Sequence, residues 1–433
     1  EYGVKYVHIT PDIDNHMFTA EIALDKRPTC PLDLELTVTF EGKLKSKVRV
    51  NCEDRITRVP VDLIVKADLD PIYIWQPGTP FLYDLKVRVL KDDVCCDMVD
   101  TYFGMRKIEC RDGFFYLNGK AVFQRLVLDQ GFYPDGIYTA PTDEDLVGDI
   151  QLSMDVGFNG ARLHEKIFEE RFLYWADKLG YLVWGEYASW GVNIDSPITA
   201  RNFLSEWQNI IVRDRNHPSI VTWTPLNEAW IPDNVQYPRL VKDLYDITHV
   251  VDPTRPVNTV SGGILTPDYD ICAMHNYEQN GEKLKASVYN PETGKFFHYK
   301  PTRQPKSRNS SGSPTVGDLA TKAPFVQAQY DGIRPYFIDE FGGIKCLEAN
   351  PAKDTDRNGS WGYGKSAVTK EDFYKRLEAQ VDALLSISDQ VWGYCYTQLT
   401  DVEQEENGIY FYDRRAKYDA ARLKQIFGKN PKK

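Results

Sequence analysis

The sequence predicts a multidomain chain, with an antiparallel β-sandwich of immunoglobulin-like size over residues 1–108 and a (β/α)8 barrel over residues 109–433. Three observations predict it. At roughly 100–200 residues per domain, the length of 433 residues holds two or three domains. The first hundred residues repeat short runs with apolar side chains at every second position, the period of a half-buried strand. From about residue 109, apolar strands alternate with amphipathic helices until eight strand candidates have passed, which is the count of a closed βα barrel.

In the first domain the strand-like opening Val4–Ile9 leads into the runs Phe18–Leu24, Leu34–Phe40 and Lys47–Val50. Turn residues such as Glu41-Gly42-Lys43 separate them, and Tyr83–Leu90 and Asp97–Phe103 follow. Several short strands without a helix make a sandwich. Asn118-Gly119 between apolar runs is a strong hairpin signal and opens the second domain. Val122–Leu128 precedes a helix near Thr142–Val156, entered at Pro141-Thr142-Asp143-Glu144. Asn159–Leu163 precedes Phe168–Leu179, Tyr181–Trp184 precedes Ala200–Arg215, and Ile220–Trp223 precedes Tyr237–Val251. Val257–Val260 and Ile271–Met274 are strands five and six. Tyr336–Ile338 leads to a helix near Lys370–Ile387, and Val391–Tyr396 with a helix near Tyr418–Phe427 closes the series. No Gly-rich phosphate fingerprint follows any strand, which counts against a doubly wound nucleotide-binding sheet. The insertion at about 278–334 has no sustained period; in a barrel it overhangs the catalytic face, so it is expected to form a partly ordered rim there.

Composition excludes several classes. With 52 Lys+Arg against 63 Asp+Glu the net charge is −11, which opposes binding to nucleic acid or an anionic membrane surface. No run approaches the roughly 20 apolar residues of a membrane span. Aromatic residues make up 13% of the chain, a supply of flat faces that suits sugars and protein cores alike. The eight cysteines lack metal spacing, and a core this large needs no disulfide framework, so most are expected to be buried thiols. The chain opens at Glu1 without Met or a signal segment and is read as a processed product or part of a longer chain. Compartment is therefore open between cytoplasm and periplasm, and a homo-oligomer is left open too.

Side chains just beyond the C-terminal ends of barrel strands face the active end. Glu228 follows strand four through Thr224-Pro225-Leu226-Asn227, and Glu340 follows Tyr336-Phe337-Ile338-Asp339 at strand seven. Two carboxylates across a barrel mouth are the equipment of glycosidic cleavage, one protonating the leaving oxygen and the other attacking the anomeric carbon. A solvated or salt-bridged strand-end Glu is the plainer alternative for each.

The segment His217-Pro218-Ser219-Ile220-Val221-Thr222-Trp223 leading to Asn227-Glu228 resembles the acid/base signature of family 2 glycoside hydrolases, the β-galactosidase, β-glucuronidase and β-mannosidase family. Trp75–Tyr83 and Phe103-Gly104-Met105-Arg106 resemble its sandwich signatures, and Leu117-Asn118-Gly119-Lys120 its barrel entry. Ile338-Asp339-Glu340-Phe341-Gly342 resembles its nucleophile segment; Gln398–Glu403 and Asn407-Gly408-Ile409 resemble the stretch after strand eight. The resemblance implies a (β/α)8 TIM barrel carrying Glu228 as general acid/base and Glu340 as nucleophile, with retention. Glu228 is then expected to have a raised pKa from the nearby Glu340 charge. Asn227 matches the Asn that binds the sugar 2-hydroxyl, and Arg162 and His164 match an Arg beside the nucleophile and a sugar-facing His. Tyr277 matches a Tyr touching the nucleophile and Trp392 a tryptophan floor under the sugar, while Asp129 and Glu186 could bind hydroxyls. No cofactor and no metal are implied.

The segment Thr397–Tyr412 lacks the Asn-x-Lys motif of the family's glucuronidases, and the stretch after strand one lacks the histidine-rich segment of many of its β-galactosidases. The expectation is therefore a retaining exo-β-glycosidase for terminal neutral sugars, most simply β-galactosidase-like. The alternative is a carbohydrate-binding protein with a degenerate, non-catalytic pocket. Family members carry a jelly-roll domain before the sandwich, so the chain is read as the sandwich-plus-barrel part of a larger enzyme, folded but weakly active or inactive alone.

Overall fold

The computed structural model describes residues 2–64, 72–193, 196–229, 236–263, 265–290, 295–296, 330–350 and 359–431. Among the described residues, the two main sheets of the sandwich hold β1 (Val4–Asp12), β2 (Met17–Leu24), β3 (Leu32–Phe40), β4 (Lys43–Cys52), β5 (Ile56–Asp62), β6 (Tyr83–Lys91) and β7 (Val94–Phe103). They form two antiparallel sheets, ordered β1-β2-β5 and β4-β3-β6-β7. Alternation turns Phe18, Ala20 and Ile22 of β2 and Leu34, Leu36 and Val38 of β3 into one shared core. Strand β5, which carries Val59 and Val61 into this core, had no counterpart in the sequence reading.

The hairpin β8 (Ile108–Arg111) and β9 (Phe114–Leu117) follows. Asn118 and Gly119 then turn the chain with φ of +54° and +74°, the left-handed pair that the Asn-Gly signal anticipates. The parallel strands are β10 (Gln124–Asp129), β11 (Gly160–Leu163), β12 (Leu182–Glu186), β13 (Ile220–Thr224), β14 (Val260–Ser261), β15 (Cys272–Asn276), β16 (Tyr336–Gly342) and β17 (Val391–Thr397). Seven pair in the order β13-β12-β11-β10-β17-β16-β15. The eighth, β14, pairs with Leu226–Asn227 just beyond β13, while Val257 makes a single bridge to Trp223. Strand five thus exists but is shorter than its sequence suggests. It holds the turn that carries Asn227 and Glu228.

Helices α1 (Asp143–Asp155), α2 (Glu170–Leu179), α3 (Pro197–Asp214), α4 (Gln236–Val251), α5 (Gly281–Val288), α6 (Lys370–Leu385) and α7 (Ala420–Phe427) lie between or after these strands. Helix α1 starts where the sequence says, with Thr142 and Asp145 forming a reciprocal capping box. The 278–334 insertion, read as having no sustained period, opens instead with helix α5, whose Leu284 and Val288 are buried in the barrel core. Residues 291–294 and 297–329, where the rest of the expected rim falls, lie outside the described residues. No helix of the described residues is long and apolar enough to cross a membrane. All eight cysteines are free thiols, but only Cys52, Cys272, Cys346 and Cys395 are buried.

The β8–β9 hairpin closes the N-terminal end of the barrel. Phe115 and Leu117 join Leu126, Leu128, Trp184, Val221 and Phe337 in the barrel interior. Sandwich and barrel are joined by the segments that resemble family signatures. Trp75 Nε1 donates to the Asp177 carbonyl at 2.8 Å, and Arg106 donates to the carbonyls of Pro218 and Ile220 at 3.0 and 3.3 Å. A Cβ on Gly104 would lie 2.8 Å from Pro218 Cβ, so only glycine permits this approach. Arg106→Ala leaves the Pro218 carbonyl without this donor, while the Ile220 carbonyl keeps Arg255 Nε at 2.6 Å, and is expected to lower stability by about 2 kcal/mol. Urea unfolding measures this, and an unchanged midpoint would contradict the joint.

Candidate active site

Arg162 and His164 stand two residues apart at the end of β11, so the strand period turns both toward the barrel axis. The Arg162 side chain is 0% exposed and is spent entirely on the site. Its Nε donates to Glu186 Oε2 at 2.7 Å. One terminal nitrogen donates to Glu340 Oε1 at 2.7 Å, to Asn227 Oδ1 at 2.8 Å and faces His164 Nδ1 at 2.7 Å; the other donates to the Asp339 carbonyl at 2.8 Å. Burial opposes the charge, but Glu186, Glu340 and Asp339 outweigh it and hold the guanidinium protonated.

Glu340 and its neighbour Asp339 both point inward, which an ideal strand forbids. The register of β16 against β17 shifts between Ile338 and Phe341, and this irregularity allows it. The Tyr277 hydroxyl donates to Glu340 Oε2, and its ring stacks on Tyr363 with centroids 3.4 Å apart. Glu228 sits at φ +44°, in the left-handed region, its N–H donating to the Ser261 carbonyl at 2.8 Å. Strain of about 1–3 kcal/mol at such a residue is typical of functional sites. A carboxylate oxygen of Glu228 lies within 4.8 Å of one of Glu340.

Between the two glutamates stands His275, which the sequence reading missed. Its Nδ1 is 2.9 Å from Glu228 Oε1 and 3.2 Å from Glu340 Oε2. On the other side of the ring, Nε2 is 2.8 Å from Ser261 Oγ and 3.5 Å from Asp339 Oδ1. Burial disfavours the charged ring, yet Glu340, Asp339 and Glu228 push it up to about 9. The expectation of a raised Glu228 is consequently overturned. Burial does lift its carboxyl, but the hydrogen bond and charge of His275 carry it below the usual carboxylate value. A signal was present, since His275 at the end of β15 lies two residues before Tyr277, which follows the strand directly, and that spacing turns both the same way.

The remaining sequence candidates separate. Asn227 belongs to the cluster and keeps its buried Nδ2 without a partner, a donor left for a bound hydroxyl. His164 lines the same wall, 4.0 Å from Glu340, with the exposed Trp190 ring edge-on at 5.1 Å. Glu186 is fully enclosed: it takes Arg162, His164 Nδ1 at 3.2 Å and the Glu165 N–H at 3.0 Å. Its carboxylate therefore braces Arg162 and has no surface left for a hydroxyl. Asp129 accepts from the Gly131 N–H at 2.8 Å, and burial with the Asp149 charge pushes it up to about 7. It belongs with Asp149, Arg414 and Lys166, and none of its hydrogen bonds reaches the two glutamates. Trp392 is not a floor for this pocket. It is the second residue of β17, at the opposite barrel end, with its ring 4.1 Å from Phe114 of the closing hairpin.

On the far rim, Glu405 accepts from Gln130 Nε2 at 3.2 Å and Asn407 Nδ2 at 3.0 Å, and Gln398 bridges Gln130 and Asn407. Burial raises the Glu405 carboxyl, and it feels the charges of His164 and Glu340, so it shares their cavity. Glu228, His275 and Glu340 could in principle hold a metal ion. The cluster already contains two cations, the Arg162 guanidinium and the His275 imidazolium, which offset part of the charge of its four carboxylates, Glu186, Glu228, Asp339 and Glu340. Chemically, the arrangement offers two close carboxylates, fixed donors and one movable proton.

Comparison with known proteins identifies the family and the fold. Residues 3–106 match the family described as "Glycosyl hydrolases family 2", and residues 108–330 match "Glycosyl hydrolases family 2, TIM barrel domain". A β-galactosidase of Pseudoalteromonas haloplanktis is 27% identical over 290 residues, covering 63% of this chain and 27% of that protein. A β-galactosidase of Thermoanaerobacter pseudethanolicus is 27% identical over 267 residues, covering 57% of this chain and 34% of that protein. The matched stretch thus spans only about a quarter to a third of those relatives' own length. Among solved structures, a β-galacturonidase from Eisenbergiella tayi superposes with a TM-score of 0.72 at 18% identity, covering 99% of this chain and 72% of that one. A β-D-glucuronidase from Dictyoglomus thermophilum gives 0.71 at 17% identity, covering 100% and 69%. These likenesses show the fold, a sandwich followed by a TIM barrel. With consecutive matches over both domains and more than half the chain in the barrel match alone, the chain belongs to glycosyl hydrolases family 2.

Proposed function

We propose that the chain carries the catalytic centre of a retaining exo-β-glycosidase that acts on terminal neutral sugars, with Glu340 as nucleophile and Glu228 as acid/base. The observation that carries this reading is the spacing: oxygens of the two carboxylates within 4.8 Å. Retaining pairs stand about 5–5.5 Å apart, whereas inverting pairs stand about 6.5–9.5 Å apart to admit a water. Arg162 and Tyr277 each donate to Glu340, which orients an oxygen for attack and stabilises the carboxylate when it leaves. The free Nδ2 of Asn227 suits the sugar's 2-hydroxyl.

The choice of a neutral sugar over a uronate is supported by Glu405, whose charge opposes a substrate carboxylate, and by the surrounding amides, which suit hydroxyls. Lys345 nearby is engaged by Ser360 and by Glu406 at 3.1 Å. The relatives named as β-galactosidases make β-D-galactosides the first choice. A panel of about a dozen aryl glycosides tests this. The expected result is cleavage of a neutral β-glycoside with net retention by NMR, and aryl uronides at least about 100-fold slower. Preference for a uronide would overturn the sugar class. Binding of sugars with no cleavage of any aryl glycoside would favour the carbohydrate-binding alternative.

A further inference from the structure

We propose that His275 is the proton store of this site: its imidazolium lends a proton across the Nδ1–Oε1 contact to Glu228 for departure of the leaving group, and recovers it at the end of turnover. The proposal rests on the acid/base reading of Glu228 and the nucleophile reading of Glu340. It answers a difficulty that the geometry raises. A Glu228 held ionised by a salt bridge has no proton to give, yet its role demands one.

Both ring nitrogens face oxygens, as a doubly protonated ring requires. Nδ1 faces Glu228 at 2.9 Å and Glu340 at 3.2 Å. Nε2 faces Ser261 Oγ at 2.8 Å, and that hydroxyl donates onward to Asp339 Oδ2 at 2.6 Å. The groups packed on His275 are therefore three carboxylates, Glu228, Glu340 and Asp339, against one cation, Arg162, at 3.4 Å from Nε2. Tyr277, the residue just past the end of β15, donates to the same Glu340 Oε2 that His275 Nδ1 faces.

In glycosylation the Nδ1–H bond breaks and an Oε1–H bond forms, so imidazolium and carboxylate become imidazole and carboxylic acid. The Glu228 side chain is one third exposed and can turn this proton to the glycosidic oxygen. That oxygen gains the proton as its bond to C1 breaks and Glu340 bonds to C1. The Glu340 charge vanishes into the ester, removing one of the anions that held the proton on His275. In deglycosylation Glu228 takes a proton from water, whose oxygen bonds to C1 while the ester bond breaks. The proton then returns to Nδ1. One water is consumed, and the site is restored.

The test is His275→Asn, which keeps a donor beside Glu228 but cannot release a proton. For an alkyl glycoside kcat/KM is expected to fall about 100-fold or more, against less than about 5-fold for a dinitrophenyl glycoside whose leaving group needs no proton. The alkaline limb of the alkyl-glycoside pH profile should also move to lower pH, since the remaining proton is held by a carboxyl alone. Equal losses on both substrates, or an unmoved limb, overturn the proposal. Imidazole NMR reads the store without turnover: His275 should be protonated near pH 7 and titrate at lower pH in Glu228→Gln. A neutral ring near that pH overturns the proposal. Undiminished hydrolysis by Glu340→Gln would remove the catalytic reading and the store with it, and is told apart because the NMR titration of the parent stands.

Discussion

Glu340→Gln is expected to lower kcat/KM by about 10⁴-fold or more on every glycoside, because an amide cannot form the glycosyl ester. The loss should not depend on the leaving group. Glu228→Ala behaves differently on the proposed reading. A dinitrophenyl leaving group departs without protonation, so formation of the glycosyl-enzyme survives while its hydrolysis, which needs a base, slows. Azide, a small anion that needs no deprotonation, should then restore turnover and yield the β-glycosyl azide. Steady-state and burst kinetics on leaving groups of graded acidity, with and without azide, check both variants. Leaving-group-independent loss in Glu228→Ala, without rescue, would reverse or remove the two roles.

Arg162→Met is expected to destabilise the chain by about 3–5 kcal/mol, the usual cost of stripping the partner from a buried charge. The side chain it removes is fully enclosed and answers Glu186, Glu340 and Asp339 at once, so its loss leaves three carboxylates in one cavity. Arg162→Lys should recover little, because an ammonium cannot reproduce the fork that reaches Glu186, Glu340 and the Asp339 carbonyl together. Urea unfolding and far-UV circular dichroism check this. A midpoint equal to the parent's would mean that the carboxylates are not sharing the guanidinium. The same cluster makes stability depend on pH with a definite sign. His275 is raised from 6.5 unfolded to about 9 folded, so its contribution is complete below pH 6.5 and lost as pH rises through about 9.

Much of this is legible in the amino-acid sequence. Period-2 runs marked the sandwich strands, and the Thr142 cap marked the entry to α1. Glu228 and Glu340 were legible because a barrel strand presents its last residues to one end, whatever the sheet around it does. Arg162 with His164, and Tyr277, followed from the motifs. Even the misplacement of Trp392 was avoidable, since the second residue of a strand belongs to the end away from the pocket.

What the sequence by itself determined is therefore the kind of most elements, though not of β5 or α5, and the end of the barrel that carries the carboxylates. Local spacing is a covalent property, and it survives any arrangement of neighbours. Only the tertiary structure decided how the charge is shared. Arg162, Glu186, Asp339, Glu340, His275 and Glu228 come from five separate segments, and no spacing along the chain encodes distances of 2.7–3.5 Å between them. Those distances set which carboxylates brace, which stay available, and where the proton rests. Electrostatic energy falls with distance and dielectric, both properties of the packed site. That is why Glu228 was legible as a residue while its protonation was not.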